Sequence, residues 1–221
     1  MERINPNDDD TFIFLGDYVD GWSESAQVID YLIDMNTHYR CVFIKGNHDV
    51  WCEDWLHRSK INEIWKAHGG EGTMRSYANF SYSQKAKHLE FFERMRFFYV
   101  EKSKLFVHAG FTSMHGVANE EHNLTLCWDR TLWEMALAMD NRIEKNSNLY
   151  PKRLKHYEEI YIGHTPTTML GHESPMNAIN VWNIDTGAAF LGKLSAIDID
   201  SKAVFQSDAV YLLYPDEIGR N

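Results

Sequence analysis

Gly16-Asp17-Tyr18-Val19-Asp20-Gly21 follows directly on the apolar run Thr11-Phe12-Ile13-Phe14-Leu15, and this junction decides the fold. A short continuous apolar run predicts a strand covered on both faces. Beyond the loop, Val28, Ile29, Leu32 and Ile33 recur at helical spacing and predict a helix over residues 23–35. Ser23 or Ser25 is expected to cap it, with acidic residues in the first turn suiting the helix dipole. Cys41-Val42-Phe43-Ile44, stopped by Gly46, predicts a second buried strand. Strand, helix and strand in this order form a βαβ unit, which implies parallel strands with a right-handed crossover.

Outward from this unit, residues 50–96 read as helix-rich and aromatic, interrupted by Gly69-Gly70 and Gly72. Phe97 to Val100 and Leu105 to Val107 predict a hairpin around Lys102-Ser103, although that turn lacks the usual Gly or Asn. Thr131 to Met139 reads as a helix. Ile160 to Ile162, Ala178 to Ile184, Leu194 to Ile199 and Ala203 to Phe205 read as strands. Upstream, Met1-Glu2-Arg3-Ile4 before Asn5-Pro6 has the look of a last helical turn. The pattern predicts an α/β fold: one domain over residues 1–221 with a helical elaboration at about 50–96.

The chain has 221 residues, 44% of them apolar, enough for one sizeable core. Its 32 acidic and 22 basic residues give a net charge of −10, which argues against nucleic acid or anionic lipid as partner. Three scattered cysteines, Cys41, Cys52 and Cys127, fit a reducing compartment better than a disulfide framework. With no apolar signal segment and no membrane-length run, a cytoplasmic location is expected.

Four apolar strands each run into a short Gly-containing loop with a metal-capable side chain. Asp17 and Asp20 follow the first, Asn47-His48-Asp49 the second, His108-Ala109-Gly110 the third, and Gly163-His164-Thr165 the fourth. Ligand sites of open α/β sheets gather outside the carboxyl ends of strands. Taken singly, each Asp reads as a turn or cap residue and each His as a hydrogen-bonded core residue. Taken together, Asp17, Asn47, His108 and His164 converge if the strands are neighbours. They then make a mixed nitrogen and oxygen set suited to manganese, iron or zinc.

In order, GDYVDG, GNHD, VHAG and IGHT resemble the signature blocks of the calcineurin-like metallophosphoesterases, in particular the superfamily containing serine/threonine phosphatases and symmetric dinucleoside tetraphosphatases. Asn183-Ile184-Asp185-Thr186-Gly187-Ala188 resembles the late D-T-G block of that group. Trp65, Gly69-Gly70, Thr73 and Ser76-Tyr77 resemble a segment of its bacterial members. The resemblance implies a sandwich of two mixed β-sheets flanked by helices. It also implies two divalent ions, manganese foremost, with Asp17 bridging them and Asn47, His108 and His164 completing one site. It implies that a metal-bridging hydroxide attacks a phosphate ester. His48 would protonate the leaving group, oriented and kept cationic by Asp20, and Arg130 would clamp a phosphate oxygen.

Three departures from that family shape the expectations. No G-D-x-H block precedes Asp17, so the chain is expected to lack an N-terminal strand, loop and helix, leaving the first metal site incomplete. Gly21-Trp22 stands where Arg-Gly is usual, so one phosphate-binding arginine is absent or supplied from elsewhere. Asp49 replaces a common Glu and is read as structural. The leading expectation is a phosphatase for phosphoprotein or small phosphoester substrates. The alternatives are a symmetric dinucleoside polyphosphate hydrolase and a catalytically disabled binding protein. Trp51, Trp55 and Trp65 read as core or cleft wall. Arg130 has an ion pair with Asp129 or Glu134 as its plain alternative. Lys152-Arg153, Lys155 and His156 read as a solvated cluster, and His57, His68, His88, His115, His122, His156 and His172 as surface or local hydrogen-bonding residues.

Overall fold

The apolar run at the start of the chain forms β1 (Thr11–Phe14), and the helical stripe forms α1 (Ser25–His38), in a computed structural model that describes residues 2–7 and 9–220. The expected last helical turn is a plain turn over residues 2–4, and Met1 lies outside the described residues. Ala26, Ile29, Leu32 and Met35 form the buried stripe of α1, whereas Val28 faces outward. Neither Ser23 nor Ser25 caps the helix. Glu24 holds the N-cap position without a side-chain bond, and no acidic residue lies in the first turn. The two serines are used elsewhere: Ser25 accepts from the Asp20 amide, and Ser23 bonds Glu217.

β2 (Arg40–Phe43) pairs with β1 in parallel, with Phe12 opposite Cys41 and Phe14 opposite Phe43. Both strands are half-buried rather than covered on both faces. The reason is topological: among the described residues they form a two-stranded sheet, with only an isolated bridge from Ile44 to Arg96 beyond it. The helical elaboration comprises α2 (Asn47–Arg58), α3 (Glu63–Trp65), α4 (Glu71–Ser76) and α5 (Tyr82–Glu93). The Gly46-Asn47-His48-Asp49 block therefore opens a helix; it is not a free loop.

The main sheet is mixed and five-stranded. β3 (Phe98–Glu101) and β4 (Lys104–Val107) form the predicted hairpin, with Lys102 and Ser103 both in left-handed conformation at φ 47° and 62°. After α6 (Thr125–Trp128), α7 (Thr131–Ala138) and α8 (Lys152–Lys155), β5 (Glu159–Ile162) pairs in parallel with β4. β6 (Met176–Ala178) and β7 (Val181–Asn183) complete the order β3-β4-β5-β7-β6. A separate antiparallel pair, β8 (Lys193–Ile197) and β9 (Val204–Ala209), closes the chain.

Alternation along the central strands divides the core. Leu105, Val107, Ile160 and Ile162 face Phe111, Leu126, Leu132 and Leu154 on one side. Phe106 and Tyr161 face Ile44, Ile13 and Leu15 on the other, with their rings stacked 5.0 Å apart. The helical elaboration has its own apolar cluster around Trp65, Tyr77 and Phe92, packed on Val19 and Ile29. The α/β class and the mixed sheet agree with the sequence expectation. Among the described residues no helix is long and apolar enough to cross a membrane.

Candidate active site

β1, β2, β4 and β5 bring their carboxyl ends to one edge, and the loops beyond them meet there. Leu15 lies just past β1 and His108 just past β4, and the His108 Nδ1–H donates to the Leu15 carbonyl at 2.6 Å. A carbonyl oxygen only accepts, so this bond fixes the tautomer and leaves the Nε2 lone pair facing inward. Nε2 lies 3.1 Å from Asn47 Oδ1 and 3.4 Å from Asp17 Oδ1. His164 Nδ1 lies 3.0 Å from the same Asn47 oxygen. The four residues expected to share a cation are therefore together, the most distant pair in sequence being 147 positions apart.

The spacing bears on what can sit among them. Donor atoms bound about 2.1 Å from one ion lie roughly 3.0 Å apart at a right angle and roughly 3.4 Å apart at a tetrahedral angle. The observed 3.0–3.4 Å separations are of that size. An imidazole lone pair, an amide oxygen and a carboxylate oxygen facing each other repel unless positive charge lies between them. Among the described residues no three His, Cys, Asp or Glu side chains alone are placed to hold an ion. It is the amide oxygen of Asn47 that closes the set, and the residues present fit a divalent cation.

Electrostatics favour an ionised Asp17 and a neutral His164. Burial opposes ionisation of Asp17, but His108, His48, Arg220 and His164 outweigh it and hold the carboxyl well below the usual range. Burial, helped by His108, pushes His164 down to about 3, so its imidazole is neutral at physiological pH. The first turn of α2 contributes too: the His48 amide donates to Asp17 Oδ1 at 3.1 Å, as suits a helix N-terminus facing an anion.

Packing leaves little latitude. A Cβ on Gly46 would lie 2.2 Å from Asp17 Oδ1 and 2.6 Å from the Asp17 amide nitrogen, so this position has to be glycine. Asp17, Asp20 and His164 are all in left-handed backbone conformation, at φ 61°, 72° and 69°. Such conformations cost roughly 1–3 kcal/mol each and persist where the surroundings over-determine them. For the Asp17 loop, Asp49 does so: its carboxylate accepts the amides of Gly46, Asp17 and Tyr18 at 2.7–3.0 Å. The structural reading of Asp49 thus agrees with its contacts.

Beside this cluster lies a second unit. His48 Nδ1 contacts Asp20 Oδ2 at 2.5 Å, and Asp20 also accepts from Trp65 Nε1 at 2.8 Å and Thr73 Oγ1 at 2.5 Å. Trp65 is core, as expected, but its indole N–H also clamps the partner of His48. Among the described residues, His48 Nε2 makes no hydrogen bond, so one nitrogen is free to serve a ligand. Arg130 is exposed at the mouth, and its Nε donates to His164 Nε2 at 3.3 Å. It does not pair with Asp129, which instead bonds the Thr131 and Leu132 amides at the start of α7 and lies 3.7 Å from Arg153.

In the basic cluster on α8, Lys152 and His156 are exposed as expected, but Arg153 is not. Arg153 is largely buried, bonding the Phe111 carbonyl and Thr131, while His156 bonds the Met114 carbonyl. Arg153 and His156 thus tie the 111–131 segment to α8 and the residue after it. His88 is fully buried between Tyr77 and Asp30, one of the local hydrogen-bonding histidines. Sequence reasoning missed three contributors. Thr73 was only part of a resembling segment, and Asp185, whose carboxyl burial pushes up, was only part of a motif. Arg220, which donates to Asp17 Oδ2 at 2.9 Å, carried no local signal at all.

Comparison with known proteins agrees with this fold. An asymmetrical bis(5'-nucleosyl)-tetraphosphatase, PrpE, of Anoxybacillus flavithermus is 28% identical over 198 residues, spanning 83% of this chain and 73% of that protein. A solved structure described as a candidate diadenosine tetraphosphatase superposes with a TM-score of 0.61 at 12% identity, covering 93% of this chain and 84% of the other. A cold-active protein-tyrosine phosphatase from a psychrophilic Shewanella gives 0.52 at 10% identity, covering 89% and 69%. At these identities the solved structures establish the fold alone. The calcineurin-like phosphoesterase family model matches residues 1–188, taking in all four strand-end loops and Asp185. The chain is a phosphoester hydrolase and belongs to the calcineurin-like phosphoesterases.

Proposed function

We propose that this chain hydrolyses dinucleoside polyphosphates, with Asp17, Asn47, His108 and His164 as metal ligands, His48 as proton donor and Arg130 as phosphate-binding residue. The observation that carries the substrate class is an aromatic wall beside the ligand cluster. Trp51 and Trp128 meet edge to face at 4.9 Å, Trp51 packs on His48 at 5.1 Å, and Trp128 lies 6.0 Å from His164. Trp128 is 42% exposed, so part of its ring is open to solvent beside His164. Stacking of a base on such a ring contributes about 1–3 kcal/mol. The PrpE relative, named for bis(5'-nucleosyl)-tetraphosphate, supports the same class.

A divalent cation held by these four residues would supply charge neutralisation at the phosphoryl group and a water made nucleophilic at neutral pH. The protein's own groups do the rest. Asp20 orients the His48 ring so that Nε2 points away from the dyad, where it can protonate a leaving oxygen. A ligand role for His164 Nδ1 puts that ring's proton on Nε2. Arg130 then loses its present acceptor, and its guanidinium is released to a substrate oxygen, which it fits better than lysine does. Manganese suits the mixed nitrogen and oxygen donors, with iron or zinc as alternatives.

A phosphoprotein monoesterase is a second reading, supported by the resemblance of the four motif blocks to serine/threonine phosphatases. One experiment separates the two: kcat/KM on diadenosine tetraphosphate and on a phosphoserine peptide, for wild type and Trp128→Ala. The dinucleotide reading expects Trp128→Ala to lose roughly 5- to 150-fold on the dinucleotide and little on the peptide. Faster turnover of the peptide, with equal effects of the substitution on both, overturns it. On either substrate His48→Asn is expected to lower kcat by about a hundred- to ten-thousand-fold.

A further inference from the structure

We propose that Arg220 serves as the second cation of the site, holding the outer oxygen of Asp17 so that this chain binds a single divalent ion. The inference rests on the metal-dependent reading above and says how many ions that site takes. The two oxygens of Asp17 face different charges. Oδ1 faces His108 Nε2 at 3.4 Å and accepts from the His48 amide, whereas Oδ2 accepts from Arg220 Nη1 at 2.9 Å. Two-ion hydrolases place cations about 3.5–4 Å apart, on either side of the reacting oxygens. Here a guanidinium occupies the second side of the carboxylate.

This contact differs from an incidental surface ion pair. The Arg220 side chain is only 10% exposed, and Nη2 donates to the Val19 carbonyl at 3.0 Å. Nε is buried with no acceptor among the described residues, so the pose gives up a donor in order to seat the charge. The segment that delivers Arg220 is itself held. Tyr214 stacks on Trp22 with ring centroids 5.0 Å apart, Glu217 accepts both the amide and hydroxyl of Ser23, and the Arg220 amide bonds the Ala189 carbonyl at 2.8 Å. A divalent ion on Oδ2 would confront this guanidinium at a few ångströms in a largely buried setting, where like charges repel strongly. Guanidinium and second ion therefore exclude one another.

The test counts ions and does not rely on turnover. Wild type, Arg220→Gln and Arg220→Lys are titrated with Mn2+ by calorimetry, and bound metal is measured after desalting, with circular dichroism confirming folding. Wild type and Arg220→Lys are expected to bind one ion. Arg220→Gln is expected to take a second at millimolar Mn2+, through Asp17 Oδ2 and the neighbouring Asp185. Should Arg220→Gln not fold, Glu217→Gln, which loosens the segment while keeping the arginine, is expected to admit the second ion instead. Two ions in wild type, or a one-ion isotherm unchanged in Arg220→Gln, overturns the inference and leaves the metal-dependent reading standing. No bound Mn2+ in any variant overturns that reading and this inference with it.

Discussion

A single absent methyl group decides whether Asp17 and His108 can come together. Because a Cβ at position 46 would lie 2.2 Å from Asp17 Oδ1 and 2.8 Å from the His108 ring, Gly46→Ala has to displace one of these side chains or the backbone. Overpacking of this kind costs about 1–3 kcal/mol. For a chain of this size that is roughly 3–10 °C in Tm. The expected outcome is a folded protein, melting lower by that amount, whose Mn2+ affinity falls at least about tenfold; calorimetric titration and a thermal scan check both. Gly46, like Asn47 and His48, was legible in the sequence because strand, glycine and polar triplet are contiguous. Arg220 was not: it reaches Asp17 across 203 positions, and an arginine in a polar tail looks like any solvated charge. Thr73 was hidden for the same reason, since a hydroxyl in a helix carries no mark of the carboxylate it will meet.

At the level of elements, the β3–β4 turn shows where local chemistry is overridden. Lys102 and Ser103 both hold left-handed backbone in a two-residue connection between Glu101 and Lys104. Such turns favour Asn-Gly because other residues pay a steric cost there. The sequence expectation of a hairpin held despite the unsuitable turn because the strands carry the pairing: Leu105, Phe106 and Val107 are buried. Replacing the pair with Asn-Gly should stabilise the protein by about 1 kcal/mol, or roughly 2–4 °C in Tm, with activity unchanged. Boundaries fared differently. The α1 cap was misread because Ser23 and Ser25 are recruited by Glu217 and Asp20, long-range partners that local pattern does not encode. The solvated reading of Arg153 failed likewise, for it is the Phe111 carbonyl and Thr131 that draw it inward.

Across the whole molecule, the separate sheets are joined by polar stitches as well as by the Phe106–Tyr161 layer. Glu159 on β5 bonds Lys104 on β4, Tyr161, and Lys202 in the turn between β8 and β9. Burial raises the Glu159 carboxyl, but the bonds from Lys104, Lys202 and Tyr161 win and lower it from 4.5 to about 2. A carboxylate depressed in this way stabilises the fold above its unfolded value and loses that contribution as the pH falls toward the folded one. Urea midpoints should therefore drop between about pH 4.5 and pH 2, and Glu159→Gln should lower the midpoint at pH 7 and flatten the slope in that acid window. An identical slope in the variant would exclude Glu159 as its source. The fold class was readable from hydrophobic runs alone, but which side chains bind one sheet to another was not, because such contacts depend on how the layers settle.

The bond from the His108 ring to the Leu15 carbonyl spans two sheets that, among the described residues, share no ladder of their own. Any sliding of one sheet past the other swings the imidazole about this pivot and turns its lone pair away from the pocket. The candidate site is thus a strain gauge for the junction, one that goes silent while each sheet is still intact.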